Sequence, residues 1–550
     1  MNTLKNIFGL ILLLTSVSLT AQIPDDEVEV VKDFEARLIE SEVIRSNPSL
    51  PPLDTTSRRL TYSIPSKSLN VDYPPPKIRP VAMPKERVPP TYKGYLKAGY
   101  GWPSSPYGEL GYQTGSDKYE FGGYLKHHSA NNTANIENQR FSESMVKLNG
   151  TYYLQEGLAV APRVGYTLDE VYYYGYDQEV DTFSAESVRQ RFRTIDFGVR
   201  LFNAERTRGD INYSAAINYY NMQDNFAVTE NGVDIELLGT KWINELHPIN
   251  VKIITDFTNL NDNFPGEQKQ DLNNFYLQPN FTYHAEAFSI KGGINLVSHN
   301  DDFTVFPDAE VNVNVYGNLV AVYAGWRGDL QKNTLRTLSD YNPFILTRNV
   351  NAGRLLIENT SYNYIYGGLK GNLKVLDYQL EMGRKNTENL ATYLNDPLDT
   401  TKFNVLYDDF NIFQIAGTVS AEPKKGLNVM ANIGINIFNV AADTVPTLVE
   451  AWHLPTVTFN FTTSYLTLKD KLRLKAEIYT ENGVPYLDRV NTEVANLNGL
   501  FDISLGAEYF FSKNFGLFLD LNNLANNKRQ RWNNYPTFGF NILGGISARF

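Results

Sequence analysis

The sequence predicts a transmembrane antiparallel β-barrel of about 22 strands, preceded by a proline-rich arm. Three observations predict it. Strand-like runs alternate apolar and polar residues from Tyr92 to the carboxyl terminus. The connections between them alternate between short and long. After the first 21 residues, no apolar stretch reaches the roughly 18 residues that a helical span needs.

Bulk composition narrows the function classes. With no Cys in 550 residues, disulfides, thiolate metal sites, Cys nucleophiles and a lipid anchor on an N-terminal Cys are excluded. Tyr and Phe are abundant, at 35 and 31, and Tyr suits a boundary between apolar and wet surroundings. The opening "MNTLKNIFGLILLLTSVSLTAQ" has a charge at Lys5 and an apolar run over 7–14, the pattern of a secretory signal, with Ala21 as the last residue before cleavage. Loss of Lys5 leaves 49 basic against 61 acidic residues, a net charge of −12. A nucleic-acid partner would want a basic patch instead.

Residues 22–91 hold "PSLPPL" and "YPPPKIRPVAMPKERVPP". Proline removes backbone donors and interrupts both regular structures. We read an extended periplasmic arm, with one short helix near 29–44. Pro74, Pro75 and Pro76 form a pre-extended stretch suited to docking on a partner.

The barrel reading covers 92–550. In 428–438, Val429, Ala431, Ile433, Ile435 and Ile437 share one side, while Asn428, Asn432 and Asn436 share the other with Met430. Val311, Val313 and Val315 oppose Asn312 and Asn314, and Leu517, Leu519 and Leu521 oppose Asp520 and Asn522. Period-2 alternation shows two environments to the two faces of a strand. Links after even-numbered strands are tight, such as "GSDK", "YGN" and "EPKKG". Those after odd-numbered strands are mostly long and polar, such as "YYYGYDQEVDTFSAES" and "KNTENLATYLNDPLDTTK". Outer-membrane barrels have tight periplasmic turns and long outward loops, and only a closed barrel pairs every strand backbone in lipid.

The last strand must close against the first, near "YKGYLKAGYG". In 540–550, Ile546, Ala548 and Phe550 lie on the apolar side, and Leu543 is the apolar exception on the wet side. An aromatic terminus after such alternation resembles the signal read by the outer-membrane insertion machinery. The segment 523–550, through Asn523, Leu524, Trp532, Tyr535, Pro536, Gly539, Gly544 and Phe550, resembles the end of TonB-dependent receptor barrels. That resemblance implies 22 strands, in agreement with the count, and covers the barrel. The family also carries a plug domain larger than the 70-residue arm, and a TonB-binding box. The nearest match to that box is "DEVEVV" at 26–31. The usual plug is therefore expected to be missing. A wide lumen needs another filling, from the arm, from a folded loop such as 329–357, or from a partner.

Few residues nominate chemistry. His127 and His128 are neighbours and would point to opposite faces of a strand. His299, Asp301 and Asp302 in "SHNDDF" offer ligands for a divalent cation, or an ordinary acidic loop. Lys528, Arg529 and Arg531 could grip lipopolysaccharide phosphates, or be solvated loop charge. The tyrosines of "VYYYGY" (171–176) and "NYY" (218–220) read as an aromatic girdle, with an outward ligand site as the alternative. No catalytic constellation and no cofactor site is nominated. Two functions compete. One is passage or uptake of a solute, TonB-dependent-receptor-like or porin-like, in partnership with TonB or a surface lipoprotein. The other is a structural or assembly subunit of a larger outer-membrane complex, docking through the arm.

Overall fold

A computed structural model describes residues 92–550, apart from 155–156, 206, 208, 263–268, 301, 318, 350–352, 355 and 442–448. The arm, with Pro74, Pro75 and Pro76, the helix expected near 29–44 and the "DEVEVV" hexamer, lies outside the described residues.

Alternating residues give each strand one face for lipid and one for the lumen, and 22 of them form a single antiparallel sheet. Each barrel strand pairs with the next, and the last, Asn541–Arg549, pairs with the first, Gly94–Trp102. The closing register runs from Tyr95 opposite Arg549 to Trp102 opposite Ile542. Closure leaves no sheet edge, so every strand backbone can be satisfied in lipid. Among the described residues, no helix is long and apolar enough to cross a membrane.

The two faces separate as the alternation requires. Leu96, Tyr100 and Trp102 of the first strand are exposed outward, as are Leu517, Leu519 and Ile546 near the seam. Charges point the other way and find partners across the wall. Lys97 stands 3.4 Å from Glu508, Lys126 3.0 Å from Glu143 and Lys291 2.6 Å from Asp308. An ionised side chain on the lipid face would cost roughly 2–4 kcal/mol at mid-depth. His127 and His128 do take opposite faces: His127 Nδ1 meets Ser144 Oγ at 2.8 Å, and His128 Nε2 meets Ser105 Oγ at 3.2 Å.

The lumen wall is uneven. On one side Tyr364 stacks on Tyr366 at 5.0 Å, Arg327 lies 4.8 Å from the Tyr366 ring, and the two hydroxyls donate to Glu381 and Glu310. On another, Ser420, Asn428, Thr462, Ser464, Ser504 and Gly506 border an open cavity of about 810 Å³. Small polar residues leave room that the tyrosines fill.

One expectation about the loops changes. Several strands run past the apolar band. The hairpin Leu376–Asn395 and Phe403–Lys424 stays paired through residues expected to be loop. His127 and His128 lie within such an extended strand, Tyr119–Asn131. Cross-strand hydrogen bonding does not require lipid, so polar segments extend the ladder into water. Three links at the long-loop end are also short, at 103–104, 225–228 and 300–301.

Candidate functional site

The long loops do not stand free. They meet across one mouth of the barrel and build a cap around a single short helix, Leu335–Tyr341. Thr334 starts it: its hydroxyl accepts from the Thr337 amide, and Thr337 returns the bond to the Thr334 amide. Such reciprocal capping suits a helix too short to be stable alone.

Carboxylates on the barrel wall hold this segment in place. Glu230, fully buried, accepts from the Leu335 amide at 2.6 Å, the Arg336 amide at 3.2 Å and Tyr220 Oη at 2.9 Å. Asp256 accepts from Lys332 Nζ at 2.6 Å. Asp224 accepts from Thr347 Oγ1 at 2.5 Å and from the amides of Phe226 and Val228 at 2.8 Å. A buried carboxylate is tolerable only when its lone pairs are filled in this way. The returning chain is tied by Gln270, which exchanges two hydrogen bonds with the Ile357 backbone, at 2.7 and 3.1 Å.

Above the anchors lies an aromatic core drawn from loops far apart in sequence. Tyr173, Tyr174, Phe344, Phe403, Trp532 and Tyr535 are all buried within it. Phe344 stacks on Tyr535 at 3.8 Å, and Tyr341 on Tyr393 at 5.2 Å. Ile345 bridges to Phe403, whose amide donates to the Phe344 carbonyl at 3.0 Å. Tyr535 Oη donates to the Thr401 carbonyl, and Gln139 Nε2 to the Pro536 carbonyl at 2.7 Å.

His453 is the polar centre of the cap. Its Nδ1 lies 2.6 Å from the Tyr393 carbonyl, and its Nε2 accepts from the Asn533 amide at 3.2 Å. Those two contacts require the neutral ring with its proton on Nδ1. The ring stacks on Trp532 at 5.5 Å. Burial lowers its pKa to about 4.

The sequence-predicted residues fall as follows. The described part of the stretch 329–357 supplies the cap helix and packs in the mouth. Tyr173 and Tyr174 are not girdle residues but cap core, because the chain leaves the ladder after Tyr172 and only other loops remain to cover them. Tyr220 supports the helix, and Tyr219 alone faces outward from its run. Lys528 and Arg529 are exposed on the last loop. Arg531 is separate from them: it lies 3.3 Å from the buried Glu481 and over the rings of Tyr341 and Trp532. Ile546 and Phe550 are exposed on the outer face, with Ala548 between them. His299 turns to Asn274 at 2.7 Å and Asn359 at 2.9 Å, and Asp301 lies outside the described residues. Among the described residues, no group of three or more His, Asp and Glu is arranged to hold a metal ion. Glu230, Asp224 and Asp256 went unseen in the sequence. Glu230 and its amide partner Leu335 are 105 residues apart, and nothing local marks a carboxylate as an anchor.

No family model and no curated protein sequence matches the chain. Solved structures do. The chain is similar to the ferric-catecholate import receptor Fiu from E. coli K12, with TM-score 0.64 and 10% identity over 84% of this chain and 82% of that one. It is similar to the FrpB iron transporter from Neisseria meningitidis, with TM-score 0.65 and 7% identity over the same shares. The copper transporter OprC matches at TM-score 0.61 and 13% identity, over 84% and 80%. The barrel has the fold of the TonB-dependent receptors.

Proposed function

We propose that this chain is an outer-membrane barrel for passage or uptake of a solute, and that the loop cap is its gate. The observation that carries this reading is a 22-stranded barrel with polar residues along its lumen wall and loops that pack together across one mouth. A seal made of loops can be released by displacing one of them; Glu230, Asp224 and Asp256 are the contacts that such a movement breaks. In this reading the arm is periplasmic and the long loops extracellular, and the protein acts as a transporter rather than an enzyme. Its partners are TonB or a surface lipoprotein, with lipopolysaccharide phosphates against Lys528 and Arg529, and with Arg531 committed to Glu481. Phe550, Ala548 and Ile546 serve the insertion machinery.

One observation favours a second reading. The cap core is as deeply buried as the interior of a soluble domain, which suits a permanent seal. The chain would then be a non-transporting subunit of a larger outer-membrane complex, docking through Pro74, Pro75 and Pro76.

Planar-bilayer conductance of the full chain, compared with a variant lacking 333–358, tests the proposal. We expect a closed full chain that opens in bursts, and a variant with a large steady conductance. Two silent forms would refute the gate, and affinity purification with and without 22–91 would then test the second reading.

A further inference from the structure

At the short-turn end, an apolar groove and a row of lysines share one arc of the barrel. The groove, of about 540 Å³, is bordered by Ala507, Tyr509, Leu517, Leu519, Gly545 and Ile546. Tyr509, Leu517 and Ile546 are roughly half exposed there, on the face that meets lipid. Ala507, between the outward Leu505 and Tyr509 on its strand, is the small residue on the lipid face that makes the depression.

Three pieces of chain converge just beyond it. The Phe510 amide donates to the Lys471 carbonyl at 2.8 Å, Tyr92 Oη donates to the Lys513 carbonyl at 3.0 Å, and the Lys93 amide donates to the Phe550 carbonyl at 2.7 Å. These bonds bring Lys471 and Lys513 onto adjoining turns, with Lys93 beside them at the entry to the first strand, all exposed. Among the described residues, none of the three ammonium groups has an ion pair. Asp470 is the one acidic side chain in turns 468–471 and 511–514. On the same rim, turns 244–246 and 285–287 carry Glu245 and Glu286 and no basic residue. Phe511, Phe515 and Phe550 stand more than half exposed beside the lysines. Aromatic rings and basic residues at one level mark a headgroup boundary.

We infer that this arc binds an anionic phospholipid, with an acyl chain in the groove and the phosphate against Lys471 and Lys513. The inference rests on the reading of the chain as an outer-membrane barrel whose short turns face the inner leaflet. Lysine suits this role as a compact charge on a flexible stem, able to follow a mobile phosphate. The groove adds what a charged rim alone lacks, a place for one chain of one lipid.

The test supplies the purified full chain, in mild detergent, with palmitoyl-oleoyl phosphatidylglycerol, the matching phosphatidylcholine or lipid A, and reads retained lipid by native mass spectrometry. Phosphatidylglycerol is expected to be retained best. Lys471→Glu with Lys513→Glu should reduce its retention about tenfold or more, each lysine near an anionic surface being worth roughly fivefold. Ala507→Phe, on the lipid face and so compatible with folding, should lower retention of both phospholipids. Equal retention of phosphatidylcholine, no response to the lysine reversals, or preference for lipid A would each overturn the site. Lipid retention does not depend on gating, so a silent conductance measurement leaves this result standing.

Discussion

Phe403, Trp452 and Trp532 at the long-loop end are almost fully buried, at 0%, 2% and 4% exposure; Phe511, Phe515 and Phe550 at the short-turn end are exposed at 57%, 57% and 52%. The same kind of residue does different work at the two mouths. At one end aromatic rings from five loops bury one another, each worth roughly 1.5–3 kcal/mol in area removed from water. At the other end the turns are too short to reach across, so the rings stay at the rim and face lipid. Loop length decides which end can close. A turn of a few residues can only reverse a strand, whereas links such as 332–359 or 523–540 can fold and meet.

The comparison can be broken most strongly at Trp532, which touches Tyr341, Tyr393, Phe403 and His453. Trp532→Ala should loosen the cap by about 3–5 kcal/mol, the cost of a large buried aromatic. Hydrogen exchange should show lost protection over 335–345 and unchanged protection in the barrel strands. Retained cap protection would mean that the loops do not hold one another.

Acid should act next. His453 has its pKa lowered by burial from 6.5 to about 4, so the folded cap favours the neutral ring. The stabilisation is full above pH 6.5 and is lost as pH falls toward 4, because the opened cap takes up the proton first. The shift corresponds to about 3 kcal/mol. Cap exchange rates should therefore rise between pH 6.5 and 4 in the native chain. His453→Gln should remove that pH step while lowering protection at neutral pH. A native cap indifferent to pH in this window would contradict the buried neutral ring.

The smallest effect belongs to the short-turn end. Gly426 adopts φ +80°, and a Cβ there would lie 2.8 Å from the Leu466 carbonyl oxygen. Gly426→Ala should cost about 1–2 kcal/mol through left-handed strain, felt as faster exchange in the neighbouring strand ends. Cap protection should not change. A cap that loosened as well would show the two mouths to be coupled through the wall.

Much of the barrel was legible in the sequence. Alternation at period 2 is a local signal: Val429 to Ile437 must share a side whatever surrounds them, and lipid makes the apolar side the outer one. Closure of Asn541–Arg549 on Gly94–Trp102 follows from the need to pair every strand in lipid. Strand ends were harder to read. Polar hairpins such as 385–402 look like loops, yet they continue the ladder in water, where no change of hydropathy marks their end.

The cap was decided by tertiary structure. Nothing local distinguishes the tyrosines of 171–176 that enter an aromatic core from the Tyr219 that faces outward. Glu230 becomes an anchor only because the fold brings the amides of Leu335 and Arg336 to it from 105 and 106 residues away. His453 is neutral only because the assembled cap buries it, with Tyr393 and Asn533, distant in sequence, holding its ring. By itself the sequence determined a closed barrel, its faces and its two unlike ends, since these follow from periodicity and from the solvent on each side. Which loops meet depends on their relative positions around the rim, and only the closed cylinder sets those.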